Sequence, residues 1–288
     1  MKQQDCDNIF DLFTKLGRPV LTAHATYIGH FPENSLMGVQ GAIDAGADMV
    51  EMDVRTTKDN VPVLHHDDSI ERTANAKGIV REMTYNELKK FNFSHFQYFL
   101  DCSGRTRPEP FVKNCPITRL DDMLECFGRK IFMNIQISKQ DYTGVPYIVD
   151  VFKDFDMYER AYITVDDFDV AKQVRALDSD IELCVLQRCP PNTPNTTMAK
   201  LHDFHDFGCH FAQPRWYDIT PEYCECSHEL GIYSNVYFAN YARDAIRFID
   251  CGIDGILTDY IDLLQPVISS HTAIASFNQT HTSVEKKH

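Results

Sequence analysis

The sequence predicts an α/β fold, a (β/α)8 TIM barrel with an insertion after the second barrel strand. Two observations support this prediction. Eight short apolar runs with strand character alternate with amphipathic helical stretches, and no glycine-rich GxGxxG turn favours an open doubly wound sheet. Such alternation implies parallel strands joined by right-handed crossovers, and eight of these units close into a barrel. A length of 288 residues fits one barrel of this kind.

The individual elements follow from local patterns. The eight strand-like apolar runs lie at residues 20–25, 48–54, 131–137, 161–165, 181–187, 210–212, 232–238 and 254–258. A ninth such run, at 61–66, follows the second with no predicted helix between them. Amphipathic stretches predict helices at 34–45, 119–127, 144–155, 167–177, 197–207, 220–230 and 241–251, and a last short helix follows the final strand. Asn34 is expected to cap the first of these helices.

Three segments differ from the barrel pattern. Residues 67–118 are long for one connection and are polar, aromatic and rich in turn residues, which predicts an insertion that covers the site at one barrel face. Residues 1–19 are an N-terminal extension, and 20–268 form a single barrel domain. Residues 269–288 are polar and aperiodic and are predicted to be disordered.

Composition narrows the classes of function. Lys and Arg number 28 against 42 Asp and Glu, which gives a net charge of −14 and argues against a nucleic-acid partner. No apolar run approaches the length of a membrane-spanning helix, so no integral membrane segment is expected. Ten scattered Cys and an N-terminus without a signal pattern predict reduced thiols in a cytoplasmic protein. A secreted form whose signal has been removed is the alternative, and the oligomeric state is left open.

Candidate catalytic side chains stand where the first strands end. His24 ends the first strand, at the barrel face where enzymes of this fold place their chemistry. Glu51 and Asp53 lie two residues apart on a strand, so both face the same way and repel each other unless a hard cation lies between them. His65 and His66 end a further strand, and alternation allows one of them to face the site.

These residues belong to a set of motifs that resembles the glycerophosphodiester phosphodiesterases. Residues 23–73 contain, in order, a PEN element, GAD followed by a strand with E-x-D, T-x-D-x-x-P-V and H-D-x-x-hydrophobic-x-R-T. Residues 250–259 resemble the closing G-x-DGI-x-TD strand of that family. Residues 120–137 resemble the segment that carries its third metal ligand. The resemblance extends over residues 20–266.

The resemblance implies an α/β barrel that hydrolyses a glycerophosphodiester or a related small phosphodiester to an alcohol and glycerol phosphate. By position, His24 and His66 match the catalytic histidine pair, and Glu51 and Asp53 match two metal ligands. The implied cofactor is one divalent cation, Ca²⁺ or Mg²⁺, with Mn²⁺ as a third candidate. Phosphodiester cleavage needs a cation at the phosphate oxygens and imidazoles for proton transfer, which agrees with this set.

Several positions depart from the family pattern. Ala25 stands where the family has Arg after the first histidine, and Gln136 replaces a metal-binding Glu but still offers a carbonyl oxygen. Ser138 replaces a Lys. Tyr237 replaces a Trp, while Asn240 keeps its polar neighbour. Two positively charged side chains at the phosphate and one anionic metal ligand of the family are therefore missing together.

The departures leave three functional interpretations open. His30, Lys139 and Tyr237 are the candidates for substrate contacts, and the first two are the nearest residues that would restore positive charge. The leading interpretation is a metal-dependent phosphodiesterase with Glu51, Asp53 and Gln136 as metal ligands. The alternatives are a family-like barrel that is non-catalytic or has an altered substrate, and a lyase that releases a cyclic phosphate.

Overall fold

The structure is a computed structural model that describes residues 3–137, 141–186 and 194–271. Within these ranges the strands are β1 (Val20–Ala23), β2 (Met49–Thr56), β3 (Pro62–Leu64), β4 (Phe96–Tyr98), β5 (Gly104–Thr106), β6 (Phe132–Ile137), β7 (Ala161–Val165), β8 (Leu183–Leu186), β9 (Phe211–Gln213), β10 (Tyr233–Tyr237) and β11 (Gly255–Thr258). Eight of them pair in parallel in the order β1-β11-β10-β9-β8-β7-β6-β2. Because β1 also pairs with β2, the sheet closes on itself and the predicted (β/α)8 barrel is confirmed.

Most of the helices follow the barrel strands and cover the outside of the barrel, whereas one precedes the first strand and two short ones lie in the insertion. They are α1 (Ile9–Lys15), α2 (Leu36–Asp44), α3 (Glu71–Ala74), α4 (Tyr85–Leu88), α5 (Leu120–Phe127), α6 (Val145–Asp154), α7 (Phe168–Leu177), α8 (Pro194–Phe207), α9 (Pro221–Glu229), α10 (Ala242–Cys251) and α11 (261–271). None of the helices in the described ranges is long and apolar enough to cross a bilayer.

The cap of α2 differs from the prediction. Ser35, not Asn34, is the N-cap, and its side chain accepts a hydrogen bond from the Gly38 N–H. Asn34 instead has a left-handed backbone (φ 56°) and turns its side chain toward β2. The last helix also differs, because α11 continues to residue 271 beyond the predicted boundary at 268. The rest of the predicted tail, 272–288, lies outside the described residues.

Strand β2 shows how period-two alternation divides the barrel into an inside and an outside. Val50, Met52 and Val54 join the large core between the strands and the outer helices. Met49 belongs to a separate cluster at the amino end of the barrel, on the same face as Glu51 and Asp53. The polar pair is therefore stacked above an apolar layer inside the barrel.

The N-terminal extension closes the amino end of the barrel. Ile9, Leu12 and Phe13 of α1 pack against the first inward side chains of the strands, which are Val20, Met49, Phe132, Tyr162, Cys184 and Phe211. All of these strand residues are at most 1% exposed. This plug leaves the carboxyl end as the open mouth of the barrel.

The insertion has a small apolar core of its own. It follows β2 and β3, which pair in antiparallel fashion, and contains α3, α4 and the β4–β5 hairpin. Its buried residues include Ile70, Val80, Leu88, Phe93 and Ile117. The insertion is thus a folded unit over the barrel mouth, held to the end of β2.

Replacing Leu12 by Ala should lower the free energy of unfolding by about 2–5 kcal/mol, because a fully buried side chain of the plug would leave a cavity. Thr14→Ala, on the exposed side of the same helix, should change it by no more than about 0.5 kcal/mol. Urea unfolding of both variants measures the difference. Equal effects would mean that α1 does not contribute to the core.

Candidate active site

A pocket of about 290 Å³ opens at the carboxyl end of the barrel. Its lining comes from strands and loops on every side of the barrel and consists of His24, Glu51, Asp53, His66, Gln136, Leu186, Gln213, Arg215 and Tyr237. Six of the eight predicted site residues are therefore brought together here.

Glu51 and Asp53 line one side of this pocket. They are 2% and 6% exposed. The Ala25 N–H donates to Glu51 Oε2 at 2.8 Å, and Asn34 Nδ2 donates to Asp53 Oδ2 at 3.0 Å. Burial and the neighbouring charge of Asp53 raise the pKa of Glu51 to about 8. The two carboxylates are thus too close together and too well shielded from water to be ionised at the same time without a compensating positive charge.

The turn after β1 positions a backbone donor for Glu51. Ala25, Thr26 and Tyr27 all have positive φ, at 43°, 66° and 108°. This conformation is rare for residues with side chains, and it directs the Ala25 N–H at Glu51. The strained backbone therefore lies where it fixes a carboxylate of the site.

His24 is oriented by a carboxylate from the last strand. Its Nδ1 lies 2.6 Å from Asp259 Oδ1, and Asn240 Nδ2 donates to Asp259 Oδ2 at 2.5 Å. Burial lowers the pKa of His24, but the charge and hydrogen bond of Asp259 outweigh it and raise that pKa to about 9. His24 is therefore held by Nδ1 and keeps a proton at neutral pH.

His66 is held in the same manner from the other side of the mouth. Its Nδ1 lies 2.6 Å from Asp67 Oδ1, and Arg72 Nε donates to Asp67 Oδ2 at 2.6 Å. Arg72 also pairs through two nitrogens with Glu33. The charge of Asp53 and the hydrogen bond to Asp67 raise the pKa of His66 to about 9.

The neighbouring His65 faces away from the pocket. It is 3% exposed, with Nδ1 at 2.8 Å from the Asp67 carbonyl and Nε2 at 2.9 Å from Thr73 Oγ1. Burial lowers the pKa of His65. Its two ring nitrogens are thus occupied by structural hydrogen bonds.

The three candidates for substrate contacts have different positions. Tyr237 lines the pocket, 5.5 Å from the His24 ring, and burial raises its pKa to about 12. The structure does not bring His30 to the pocket, since its half-exposed ring lies 3.0 Å from Asp262 Oδ1 between Tyr27 and Tyr260. Lys139 lies outside the described residues.

Three side chains of the site have no role assigned from the sequence, although Asn240 and Asp259 lie in segments that match the family. Asp259 and Asn240 hold His24, and Arg215 lines the pocket two residues after β9 ends. The signal for all three was their position just beyond the carboxyl end of a predicted strand.

A second cavity of about 240 Å³ adjoins the pocket and shares His24, Asp53, His66 and Tyr237 with it. Its further lining comes from the β1 turn and the insertion, namely Ala25, Ile28, Glu33, Asp67, Arg72, Phe96 and Tyr98. The predicted cover over the site is therefore provided in part by strand β4. Phe93, a few residues before β4, packs into the core of the insertion.

The pocket offers a hard divalent cation two carboxylates and a neighbouring amide as ligands. In the part of the chain that the structure describes, no group of three or more His, Cys, Asp and Glu side chains has the spacing to hold a metal ion. The Glu51–Asp53 pair would need further oxygen ligands, and the amide of Gln136 is next to it, with Nε2 at 3.2 Å from Asp53 Oδ1. A rotated amide would present its oxygen instead, so two carboxylates, an amide and water fit such a cation.

Comparison with known proteins identifies related chains. Residues 24–263 match the model of the Glycerophosphoryl diester phosphodiesterase family. A glycerophosphodiester phosphodiesterase of Caldanaerobacter subterraneus is 26% identical over 246 residues, which cover 84% of this chain and 94% of the relative. One from Bacillus altitudinis is 27% identical over 250 residues, covering 83% and 94%.

Solved structures share the fold. An Oleispira antarctica phosphodiesterase, solved in complex with the product sn-glycerol-3-phosphate, has a TM-score of 0.71 at 18% identity over 88% of this chain and 97% of the other. A glycerophosphodiester phosphodiesterase from Agrobacterium tumefaciens has a TM-score of 0.69 at 19% identity, covering 85% and 98%.

Replacing Glu51 by Gln should stabilise the metal-free protein increasingly as the pH rises from 4.5 to 8. The folded protein holds the Glu51 proton up to about pH 8, whereas the unfolded chain releases it near the ordinary value of 4.5, so ionisation favours unfolding in this range. Urea unfolding in EDTA should show a gain of at least about 1 kcal/mol at pH 8 over pH 4.5. A pH-independent difference would contradict the raised pKa.

Proposed function

The chain belongs to the glycerophosphoryl diester phosphodiesterase family, and on this premise we propose that it hydrolyses a small glycerophosphodiester to an alcohol and glycerol phosphate. One observation carries the proposal. Two imidazoles, each oriented by its own carboxylate, face one pocket together with a pair of buried carboxylates. The names of the relatives and the glycerol phosphate bound to the Oleispira enzyme support the same substrate class.

We propose that Glu51, Asp53 and the amide oxygen of Gln136 hold one divalent cation, Ca²⁺, Mg²⁺ or Mn²⁺. The raised pKa of Glu51 supports this assignment, because a cation would remove the repulsion that causes it. When bound, the cation supplies positive charge to the non-bridging phosphate oxygens and favours ionised oxygen nucleophiles.

His24 and His66 are proposed to carry out the two proton transfers. In hydrolysis, a water oxygen forms a bond to phosphorus while the bond from phosphorus to the alcohol oxygen breaks. A cation at the carboxylate pair would compensate the Asp53 charge that raises the pKa of His66, so that one of the two imidazoles could be neutral. The neutral imidazole accepts the proton of the attacking water, and the other, as imidazolium, gives its proton to the departing alkoxide. Since Nδ1 of each ring is held by Asp259 or Asp67, Nε2 is the atom left to exchange protons on the pocket side.

The same pair of imidazoles would serve a lyase, in which a hydroxyl of the substrate takes the place of water and a cyclic phosphate is released. Phosphorus NMR of a reaction mixture distinguishes the two products. Incubation with glycerophosphocholine, glycerophosphoethanolamine and glycerophosphoinositol, with each cation and with EDTA, tests the proposed activity. Glycerol phosphate that forms only with a cation supports hydrolysis. No turnover in any arm would favour the non-catalytic alternative.

His24→Ala and His66→Ala should each lower turnover by about 10²–10⁴-fold, since each removes a proton-transfer group. His205→Ala, on an exposed part of α8, is the control and should leave turnover unchanged. His30→Ala should also have little effect because that ring lies outside the pocket. Turnover by either pocket variant at the control's rate would rule out the assigned roles.

Gln136→Glu should tighten cation binding by about tenfold or more, because it adds a formal negative charge beside Glu51 and Asp53. Gln265→Glu adds the same charge on α11, away from the mouth, and should leave the affinity unchanged. Calorimetric titration with each cation measures both. An affinity unaffected by Gln136→Glu would place the cation elsewhere.

A further inference from the structure

The pocket of a phosphodiesterase must offer positive charge to an anionic substrate, and the usual source is missing here. Position 25, which carries Arg in the family motif, is Ala25 and lines only the adjoining cavity. Another guanidinium at the mouth could make this contact in its place. Three are present in the described residues near the pocket: Arg55, Arg72 and Arg215.

Two of these guanidinium groups are already occupied by structural contacts. Arg55 donates to the His66 carbonyl through Nε and Nη2 and to Asp68 Oδ1 at 2.7 Å. Arg72 is paired with Glu33 and Asp67. Their charge is matched by carboxylates, and their donors hold the segment that carries His66.

Arg215 differs from both. It lines the pocket and is half-buried, and among the described residues no carboxylate lies within 4 Å of its guanidinium nitrogens. Its guanidinium carbon is 6.0 Å from the centre of the Tyr237 ring, on a neighbouring strand. Asp218 interacts with the Arg215 charge from a greater distance, but it forms no ion pair with it. Arg215 thus presents to the pocket a guanidinium without an ion-pair partner among the described residues, beside a substrate-contact candidate.

The strand order places this charge opposite the carboxylate pair. Arg215 follows β9, and around the closed barrel β9 is four strands from β2 in either direction. Glu51 and Asp53, the proposed cation ligands, lie on β2. A phosphate in the pocket would therefore lie between the cation on one wall and a guanidinium on the facing wall.

We propose that Arg215 binds the non-bridging oxygens of the substrate phosphate and replaces the Arg that the family motif has after the first histidine. This inference rests on the proposed function and adds the residue that recognises the phosphate. A planar guanidinium with several donors matches phosphate oxygens in two-point hydrogen bonds. Relocation of the charge also leaves the cavity beside Ala25 open for the rest of the substrate.

The test compares Arg215→Ala and Arg215→Lys with Arg243→Ala. Arg243 lies on the surface of α10 with an exposed guanidinium and serves as the control. Arg215→Ala should lower kcat/KM by about 10- to 150-fold, the loss expected for a charge-assisted contact. Arg215→Lys should retain part of the activity, because it keeps the positive charge but loses the two-point hydrogen bonding of the guanidinium. Arg243→Ala should match the wild type.

A second measurement does not depend on turnover. Calorimetric titration of the cation-loaded protein with inorganic phosphate should show weaker binding to Arg215→Ala than to the wild type, even if no diester is hydrolysed. An inactive wild type with Arg215-dependent phosphate binding would overturn the proposed function and support this inference. Unchanged kcat/KM and unchanged phosphate affinity in a folded Arg215→Ala would overturn the inference alone.

Adding Ala25→Arg to Arg215→Ala provides the reverse test. If the two positions serve one contact, the second substitution should restore part of the lost phosphate affinity and activity, since it returns the charge at the family's position. A thermal unfolding midpoint near that of Arg215→Ala confirms that the double variant is folded. A folded double variant with no recovery in either measurement would contradict the idea of one relocated charge.

Discussion

Two carboxylates on one inward face of β2 set the condition that the rest of the site has to meet. Glu51 and Asp53 are almost completely buried, and burial together with their mutual repulsion raises the pKa of Glu51. Hydrogen bonds from Ala25, Asn34 and Gln136 fix their positions but do not neutralise them. Positive charge has to be supplied at the mouth itself, by the imidazoles and by any bound cation.

The two imidazoles supply that charge in a fixed geometry because each has a carboxylate behind it. Asp259 holds His24, and Asp67 holds His66, so charges alternate outward from the carboxylate pair. The outer carboxylates have partners too, Asn240 for the first and Arg72 for the second. The orientation of both rings is therefore established by folding, before any substrate binds.

The sequence predicts well what lies along one strand and poorly what meets across the barrel. Alternation was sufficient to place both carboxylates of β2 on one face, and the eight strand-like runs were sufficient for the barrel. Arg215 reaches the pocket, and Asp259 reaches the ring of His24, only because closure brings β9 and β11 to the same mouth as β2. Asn34 and Ser35 are both residue types that favour helix N-caps. Ser35 caps α2 because the side chain of Asn34 instead donates a hydrogen bond to the buried carboxylate of Asp53.

The insertion is coupled to the chemistry through Arg72. This residue lies in α3, holds Asp67, and through it fixes the ring of His66. Its own carbonyl accepts from Thr106 Oγ1 of β5, and its guanidinium lies 4.4 Å from the centre of the Phe96 ring on β4. A cover that only excluded water would tolerate many packings. Here the hairpin, α3 and the His66 ring depend on one arginine, so the fold of the insertion and the orientation of this pocket imidazole are a single structural property.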